Sequence, residues 1–205
     1  MGYYKPFDLS ELENVIQKYH GRHAYLYDDF YDNKYNGDRY LMIGEWNGSL
    51  NNLRKQWSVT HGSASVTDKR LILDASATYT IVRTSSTVTE GTWETKVKFE
   101  NSAQFEFRII SDGTKRIHVK YQSGALKVEK YDGATTDTII STSIDLEDGE
   151  YHTIKVTRDA SGNYELFVDG DSKGTGSDSY LPSANYVELC CFAQKTYVDY
   201  VEVTS

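Results

Sequence analysis

The sequence contains very little cysteine, and its only two cysteines are the neighbours Cys190 and Cys191. Neighbouring residues of a β-strand point to opposite faces of the sheet, so this pair is poorly placed to form a disulfide. The five histidines do not lie at the spacings, from one another or from the cysteines, that are typical of a metal site. A disulfide-stabilised fold is therefore excluded, no metal site is predicted, and the cysteines are interpreted as half-buried strand residues.

Positive charge is also scarce, because the formal net charge at pH 7 is −8 and the isoelectric point is about 5.1. The acidic residues are scattered, so nothing in the sequence predicts attraction of a polyanion through counterion release. Nucleic acid is therefore not expected as a partner. The sequence also has no phosphate-binding loop and no nucleophile elbow, and no cofactor is expected.

Long apolar runs are missing from the first 22 residues, MGYYKPFDLSELENVIQKYHGR. No signal-peptide core and no membrane span is predicted there. Three settings stay open: the protein acts inside the cell, a leader has been removed, or the protein leaves the cell within a particle.

One helical pattern is present, around residues 9–20. Ser10 and Glu13 form a capping box, an apolar stripe recurs at helical spacing, and Gly21 ends the pattern. A helix this short is marginal alone, so its apolar stripe must dock on the sandwich, on another subunit or on a larger partner, and docking on its own domain is the default. We therefore expect a helical extension at 1–22 that offers a possible homo-oligomer contact.

From residue 23 onward the sequence alternates apolar and polar residues in short runs separated by turn residues such as SDGT, QSGA, YDGA and VDGD. Trp93, Val97 and Phe99 share one face of a predicted strand, and Glu94 and Lys96 share the other. We predict an all-β, two-sheet antiparallel sandwich spanning 23–205, with one buried and one solvent-facing side to each strand. Residues 170–185 are predicted to be a loop.

Three segments carry a family resemblance: GTWETKVKFE (91–100), EDGEYHTIKVTRDASGNYELFVDGD (147–171) and KTYVDYVEV (195–203). They resemble the concanavalin A-like lectin/glucanase superfamily, and in particular its laminin-G-like members. The resemblance implies a jelly roll of two curved sheets, with ligands bound on the concave sheet or its rim loops. It is specific for fold and weak for function.

The sequence can be compared with the catalytic pattern of a hydrolase, because retaining glucanases of this superfamily carry an E-x-D-x-x-E pattern on a central strand. The matching strand, QFEFRIISD, offers Glu106, but Arg108 stands where the second acid would lie. A retaining mechanism needs two carboxyl groups roughly 5 Å apart. An arginine also holds a neighbouring carboxylate ionised, which opposes general acid catalysis. A glycoside hydrolase of the β-glucanase type is therefore the third choice, and we expect no enzyme activity.

Carbohydrate binding is the leading hypothesis, with sugar rings stacking on aromatic side chains and polar groups bonding their hydroxyls. The strand faces predicted to be solvent-facing supply most of the candidates, and loop and strand-end aromatics supply the rest: Trp46, Glu106, Arg108, His118, Lys120 and Tyr131. Trp57 and Tyr121 are further aromatic candidates, but core packing is the stronger interpretation for Trp57. The expected partner is a carbohydrate or glycoprotein surface.

Two further hypotheses remain. A structural or attachment protein of a virus or surface assembly would fit the capped N-terminal helix and the 17 tyrosines. Calcium is possible because superfamily members often bind it through loop carboxylates, and four aspartates lie in suitable turns: Asp112, Asp132, Asp169 and Asp171. Each of these four is also explained as an ordinary turn residue.

Overall fold

The computed structural model describes residues 24–28, 40–43, 55–67 and 70–205. The predicted N-terminal helix lies outside these residues. Within them the chain forms strands and no helix. The strands are β1 (Ala24–Asp28), β2 (Tyr40–Ile43), β3 (Lys55–His61), β4 (Ser63–Thr67), β5 (Arg70–Asp74), β6 (Thr80–Ser85), β7 (Gly91–Phe99), β8 (Gln104–Ser111), β9 (Arg116–Gln122), β10 (Ala125–Tyr131), β11 (Thr136–Ser143), β12 (His152–Arg158), β13 (Asn163–Val168), β14 (Asp171–Ser177), β15 (Tyr186–Ala193) and β16 (Lys195–Thr204).

These strands form two antiparallel sheets of eight strands each. The first sheet has the order β14-β13-β12-β7-β16-β5-β4, and β1 also pairs with β16. The second sheet has the order β11-β10-β9-β8-β15-β6-β3-β2. The prediction of an all-β, two-sheet antiparallel sandwich is confirmed.

The core lies between the sheets and follows the alternation in the sequence. Trp93 and Val97 on β7 face Phe105 and Phe107 on β8 in one buried cluster. Trp57 is fully buried in the same cluster, which confirms core packing for this residue. Tyr121 is also buried, and its ring stacks on Phe99 with 4.7 Å between ring centres. Neither Trp57 nor Tyr121 is therefore available as a sugar platform.

One strand was not predicted, because β14 occupies the first part of the expected loop at 170–185. Its sequence, DSKGTGS, lacks the apolar alternation that marks a strand. β14 lacks this alternation because it lies at the edge where the two sheets meet. A Cβ atom added at Gly176 would lie 2.5 Å from the carbonyl oxygen of Ile139 on β11, so only glycine allows this approach.

A tight hairpin turn sets the register of β13 and β14. Asp169 and Gly170 have φ angles of 53° and 87°. Positive φ at both central residues is what a type I′ turn requires, and Asp-Gly favours that turn. The predicted VDGD turn therefore lies where β14 begins.

No helix among the described residues is long and apolar enough to cross a lipid bilayer.

Candidate functional site

Pairing of β15, β8, β9 and β10 places four polar side chains in one row on the outer face of the second sheet. Arg108 is the register partner of Glu188 on one side and of His118 on the other. His118 in turn faces Glu129 on β10. Paired residues of an antiparallel sheet point to the same face, so the row reads Glu188, Arg108, His118, Glu129.

The neighbouring row on the same face reads Cys190, Glu106, Lys120 and Lys127, from β15 to β10. Two rows of adjacent side chains thus cover the middle of the second sheet. Five residues of these rows, together with Arg116 beside Glu106, are called the ion cluster. Its members are Glu106, Arg108, Arg116, His118, Glu129 and Glu188.

Arg108 links two carboxylates of the ion cluster. Its Nε donates to Glu106 Oε2 at 2.9 Å, and its Nη1 donates to Glu188 Oε2 at 3.2 Å. The Ser111 hydroxyl donates to the same Glu188 oxygen at 2.8 Å. Charge-assisted bonds of this kind fix both carboxylates in position.

His118 lies between two carboxylates. Its Nε2 is 3.5 Å from Glu129 Oε2 and 3.8 Å from Glu106 Oε1. Its Nδ1 is buried without a hydrogen-bond partner, and so is Nε of Arg116, which lies 3.5 Å from Glu106 Oε2. The cluster therefore contains more hydrogen-bonding capacity than its own members use.

The ion cluster is buried, although the sequence predicted a solvent-facing surface. Exposure is 7% for Glu106, 8% for Arg108 and 1% for His118. The expectation of one wet side for each strand was thus wrong for β8, which is buried on both faces from Phe105 to Ser111. The alternation correctly placed these side chains outside the core between the sheets. It does not predict whether a side chain on the outer face is buried, because that depends on the surrounding residues.

Electrostatics hold the carboxylates ionised. Burial raises the pKa of Glu106, but His118, Arg108 and Arg116 outweigh it and leave this pKa below its usual value. The pKa of Glu129 is also lowered, first by its hydrogen bond to His118 against the opposing effect of burial. Both groups are suited to accept hydrogen bonds and not to donate a proton.

The other predicted site residues lie around the ion cluster or outside the described residues. Lys120 is part-exposed beside Glu106 in the register. Tyr131 is part-exposed, its hydroxyl donates to the carbonyl of Gly133 at 2.9 Å, and its ring centre is 4.5 Å from the Arg116 guanidinium. Trp46 lies outside the described residues. The structure thus brings together Glu106, Arg108 and His118, with Lys120 and Tyr131 at their margin.

Sequence reasoning missed Glu129, Glu188, Arg116 and Ser111. The alternation in ALKVEKY places Glu129 opposite Leu126 and Val128, so this residue could have been found from its strand alone. Glu188 could not, because it meets Arg108 only through the pairing of β15 with β8, 80 residues apart in the chain. Glu106 is consequently not the lone carboxylate that the sequence indicated.

A second feature of the same face is a stack of three rings. His61 lies 3.8 Å from Tyr79 with nearly parallel planes, and Tyr79 lies 5.9 Å from Phe192. Tyr79 is 42% exposed. His61 belongs to the row of Ile81, Cys190 and Glu106, three strands from Glu106 and so roughly 14 Å away. This aromatic stack was not predicted, because His61 and Tyr79 are isolated in sequence.

The four aspartates considered for calcium form hydrogen bonds with backbone amides or with neighbouring side chains. Asp112 accepts from the amides of Thr114 and Lys115, and Asp132 accepts from those of Ala134 and Thr135. Asp169 contacts His152 and Thr153, and Asp171 contacts Lys173. Within the described ranges, no group of three or more metal-binding side chains is assembled.

Comparison with solved structures identifies proteins of the same fold. A carbohydrate-binding module, CBM66 from Bacillus subtilis, has a TM-score of 0.63 at 11% identity over 72% of this chain and 94% of that chain. A Bacillus licheniformis β-glucanase has a TM-score of 0.60 at 14% identity, with 87% and 97% covered. The Emp47p carbohydrate recognition domain has a TM-score of 0.59 at 13% identity, with 88% and 95% covered.

These identities establish a shared fold and no shared activity. The comparison with curated protein sequences gives no match. A family model, described as the concanavalin A-like lectin/glucanases superfamily, matches residues 73–190, which is more than half of the chain. Its match covers β8, β9 and β10 and reaches Cys190 on β15. The chain therefore belongs to the concanavalin A-like lectin/glucanase superfamily.

Proposed function

We propose that this protein is a non-catalytic carbohydrate-binding module that binds a glycan on the outer face of the second sheet. The observation that carries the proposal is the ion cluster, a set of fixed donors and acceptors lying outside the core. Hydroxyl groups both donate and accept hydrogen bonds, so a sugar can use carboxylate and cationic neighbours together.

The ligand is proposed to bind at the β9–β10 end of this face, where the side chains are accessible. Lys127 is 39% exposed there and its Nζ lies 3.7 Å from Glu129 Oε1. Lys120 and Tyr131 are part-exposed beside it. Glu129 is only 6% exposed, and its carboxylate, held by His118 and by the Thr138 hydroxyl at 3.4 Å, is the acceptor that the sugar would reach between these side chains.

Charge at this position is close to balanced, because the three carboxylates of the ion cluster lie beside two guanidinium groups and beside Lys120 and Lys127. The glycan is therefore proposed to bind through its neutral hydroxyl groups. Individual bonds in such a site are weak, and the expected affinity is in the millimolar to micromolar range, on the order of 4–8 kcal/mol. The carbohydrate-binding proteins of the same fold are consistent with this class of ligand.

The test is a glycan array followed by calorimetric titration of the selected glycan. Lys120→Ala and Glu129→Gln should each weaken binding about tenfold, because each removes a charged partner of a hydroxyl. Lys155→Ala, on the first sheet, is the matched control and should bind normally. Unchanged affinity in both site variants, with the fold intact, would reject the proposed site.

Glycoside hydrolysis is the second candidate, because Glu106 and Glu129 approach the same nitrogen of His118 and thus form a carboxylate pair. The lowered pKa of both groups argues against it, since a general acid needs a raised pKa. Release of reducing ends from β-glucan that disappears in Glu106→Gln would establish the enzyme and overturn the non-catalytic proposal.

The alternative of a viral or surface-assembly role depends on the N-terminal segment, which lies outside the described residues.

A further inference from the structure

We propose that the outer face of the first sheet carries a second binding site, which takes an acidic oligosaccharide through its carboxylate or sulfate group. The site is the Tyr151 patch, defined as Arg70, Lys96, Lys98, Tyr151 and Tyr197. It lies on the opposite side of the sandwich from the ion cluster and does not depend on the function proposed there.

Three cations surround a single aromatic ring in this patch. The Arg70 guanidinium lies 5.0 Å from the centre of the Tyr151 ring, and the ammonium groups of Lys98 and Lys96 lie at 5.5 Å and 5.8 Å. Lys98 is also 5.1 Å from the ring centre of Tyr197. Like charges gathered around one ring repel one another, so the arrangement favours an anion among them.

The negative groups of the same face neutralise only part of this charge. Asp199 lies 3.2 Å from Lys96, and Glu100 accepts the hydroxyl of Tyr197 at 2.9 Å. Neither Arg70 nor Lys98 forms an ion pair with any carboxylate among the described residues. Two cations beside one ring are therefore left for an external anion.

A hydrogen-bonding group of the patch also lacks a partner. The Tyr151 hydroxyl is buried, and it makes no hydrogen bond. Since a buried hydroxyl without a partner costs free energy, a ligand oxygen that reaches it would gain from the contact.

The sheet register gives the patch the shape of a sugar site. Lys98 is the register partner of Tyr197, and His152 pairs with Val97, so Tyr151 lies beside Lys98 on its other side. Two phenol rings thus flank one cation, about 10 Å apart across two strand spacings. Aromatic rings beside a cation suit a sugar that bears an anionic group, because the rings contact the sugar and the cation contacts its charge.

The sequence did not reveal this patch. The net charge of −8 argues against a polyanion partner, but it says nothing of a local surface where cations from β5 and β7 meet. Arg70 and Lys98 are brought together only by the pairing of both strands with β16.

The experiment is calorimetric titration of the whole chain with oligogalacturonate, sulfated dextran oligomers and neutral malto-oligosaccharides of matched length. We expect both acidic probes to bind, more weakly as salt is raised, and the neutral one not to bind at this patch. The double variant Arg70→Gln/Lys98→Gln should lose about tenfold in affinity for the acidic probes. The control Lys155→Gln/Lys173→Gln makes the same charge change on the same sheet and should retain affinity.

Three results would overturn the proposal. The double variant could bind the acidic probes as tightly as its control does. Oligoglutamate could bind as well as the acidic sugars, which would indicate an acidic peptide as the partner. Neutral oligosaccharides could compete fully with the acidic ones. Lys120→Ala and Glu129→Gln, which test the other face, are expected to leave acidic-probe binding unchanged, so the two proposals fail separately.

Discussion

The two outer faces of the sandwich carry charged residues in the same alternating pattern, but they use them differently. On the second sheet Glu106, Arg108 and Glu188 are buried and bonded to one another. On the first sheet Lys96 and Asp199 form a pair with side chains 38% and 36% exposed, and Arg70 forms no ion pair with the described carboxylates. The charged side chains around Tyr151 therefore stay partly in solvent, whereas those of the ion cluster are held in a fixed, buried network.

The difference has an energetic consequence. Exposed ion pairs contribute little to stability, with a median of about 0–1 kcal/mol. A buried pair costs much more when one member is removed, because the other charge stays buried and uncompensated. Matched substitutions on the two faces should consequently give very different stabilities.

The largest effect is expected for Arg108→Met, which leaves Glu106 and Glu188 without their shared cation. We expect the free energy of unfolding to fall by about 3–5 kcal/mol, measured by urea denaturation followed by circular dichroism. The matched change on the other face, Lys98→Met, should cost less than about 0.5 kcal/mol. Equal losses in the two variants would remove the distinction between the faces.

Arg108 and its two carboxylate partners can also be replaced together by apolar residues. The triple variant Glu106→Leu/Arg108→Met/Glu188→Leu should recover most of the loss, because Arg108 is removed together with both of its carboxylates and the Arg116 side chain, which loses Glu106, is 20% exposed. Stability that stays as low as in Arg108→Met would show that the three charges stabilise the fold beyond their mutual pairing.

An intermediate effect is expected where the two sheets meet, at Gly176. Gly176→Ala places a Cβ atom against the backbone of Ile139, so β14 must move away from β11. We expect a loss of about 1–3 kcal/mol in the same denaturation assay. Ser177→Ala, at the exposed neighbouring position, is the control and should be nearly neutral.

The smallest effect is expected at His152, at the margin of the first sheet. Its Nδ1 lies 2.8 Å from Asp169 and its Nε2 lies 3.0 Å from Asp148. Burial lowers the pKa of His152, but these two bonds outweigh it and raise this pKa above its ordinary value of 6.5. The pKa values of Asp148 and Asp169 are lowered from their ordinary value of 3.8.

The directions of these three pKa shifts determine how stability changes with pH. The raised pKa of His152 gives stability that is complete below pH 6.5 and is lost as the pH rises through the raised value. The lowered aspartate values give stability that is lost as the pH falls below 3.8. His152→Gln should therefore lower Tm most between these limits, by on the order of 1–2 °C, and less at alkaline pH. A difference that grows above pH 8 would contradict the assignment.

The sequence allowed much of the fold to be predicted, because apolar alternation is a local property of a strand. Trp93, Val97 and Phe107 were assigned to the core, and they are buried there. The pattern failed at β14, where Gly174 and Gly176 are selected by contact with another strand and not by burial of side chains.

The candidate site was only half predictable for a similar reason. Glu106, Arg108 and His118 were found because they alternate with core residues on β8 and β9. Their partner Glu188 and their burial depend on strand order and on what surrounds the outer face. Neither property is encoded in the spacing of residues along one strand.

We propose the β9–β10 end of the second sheet as the glycan site. The most direct test is an NMR titration of labelled protein with the glycan selected on the array, following backbone amide shifts. We expect saturable shifts concentrated at Lys120, Lys127, Glu129 and Tyr131, with no comparable shifts at Lys98, Tyr151 and Tyr197. Shifts confined to the first sheet, or no saturable shift on β9 and β10, would contradict it.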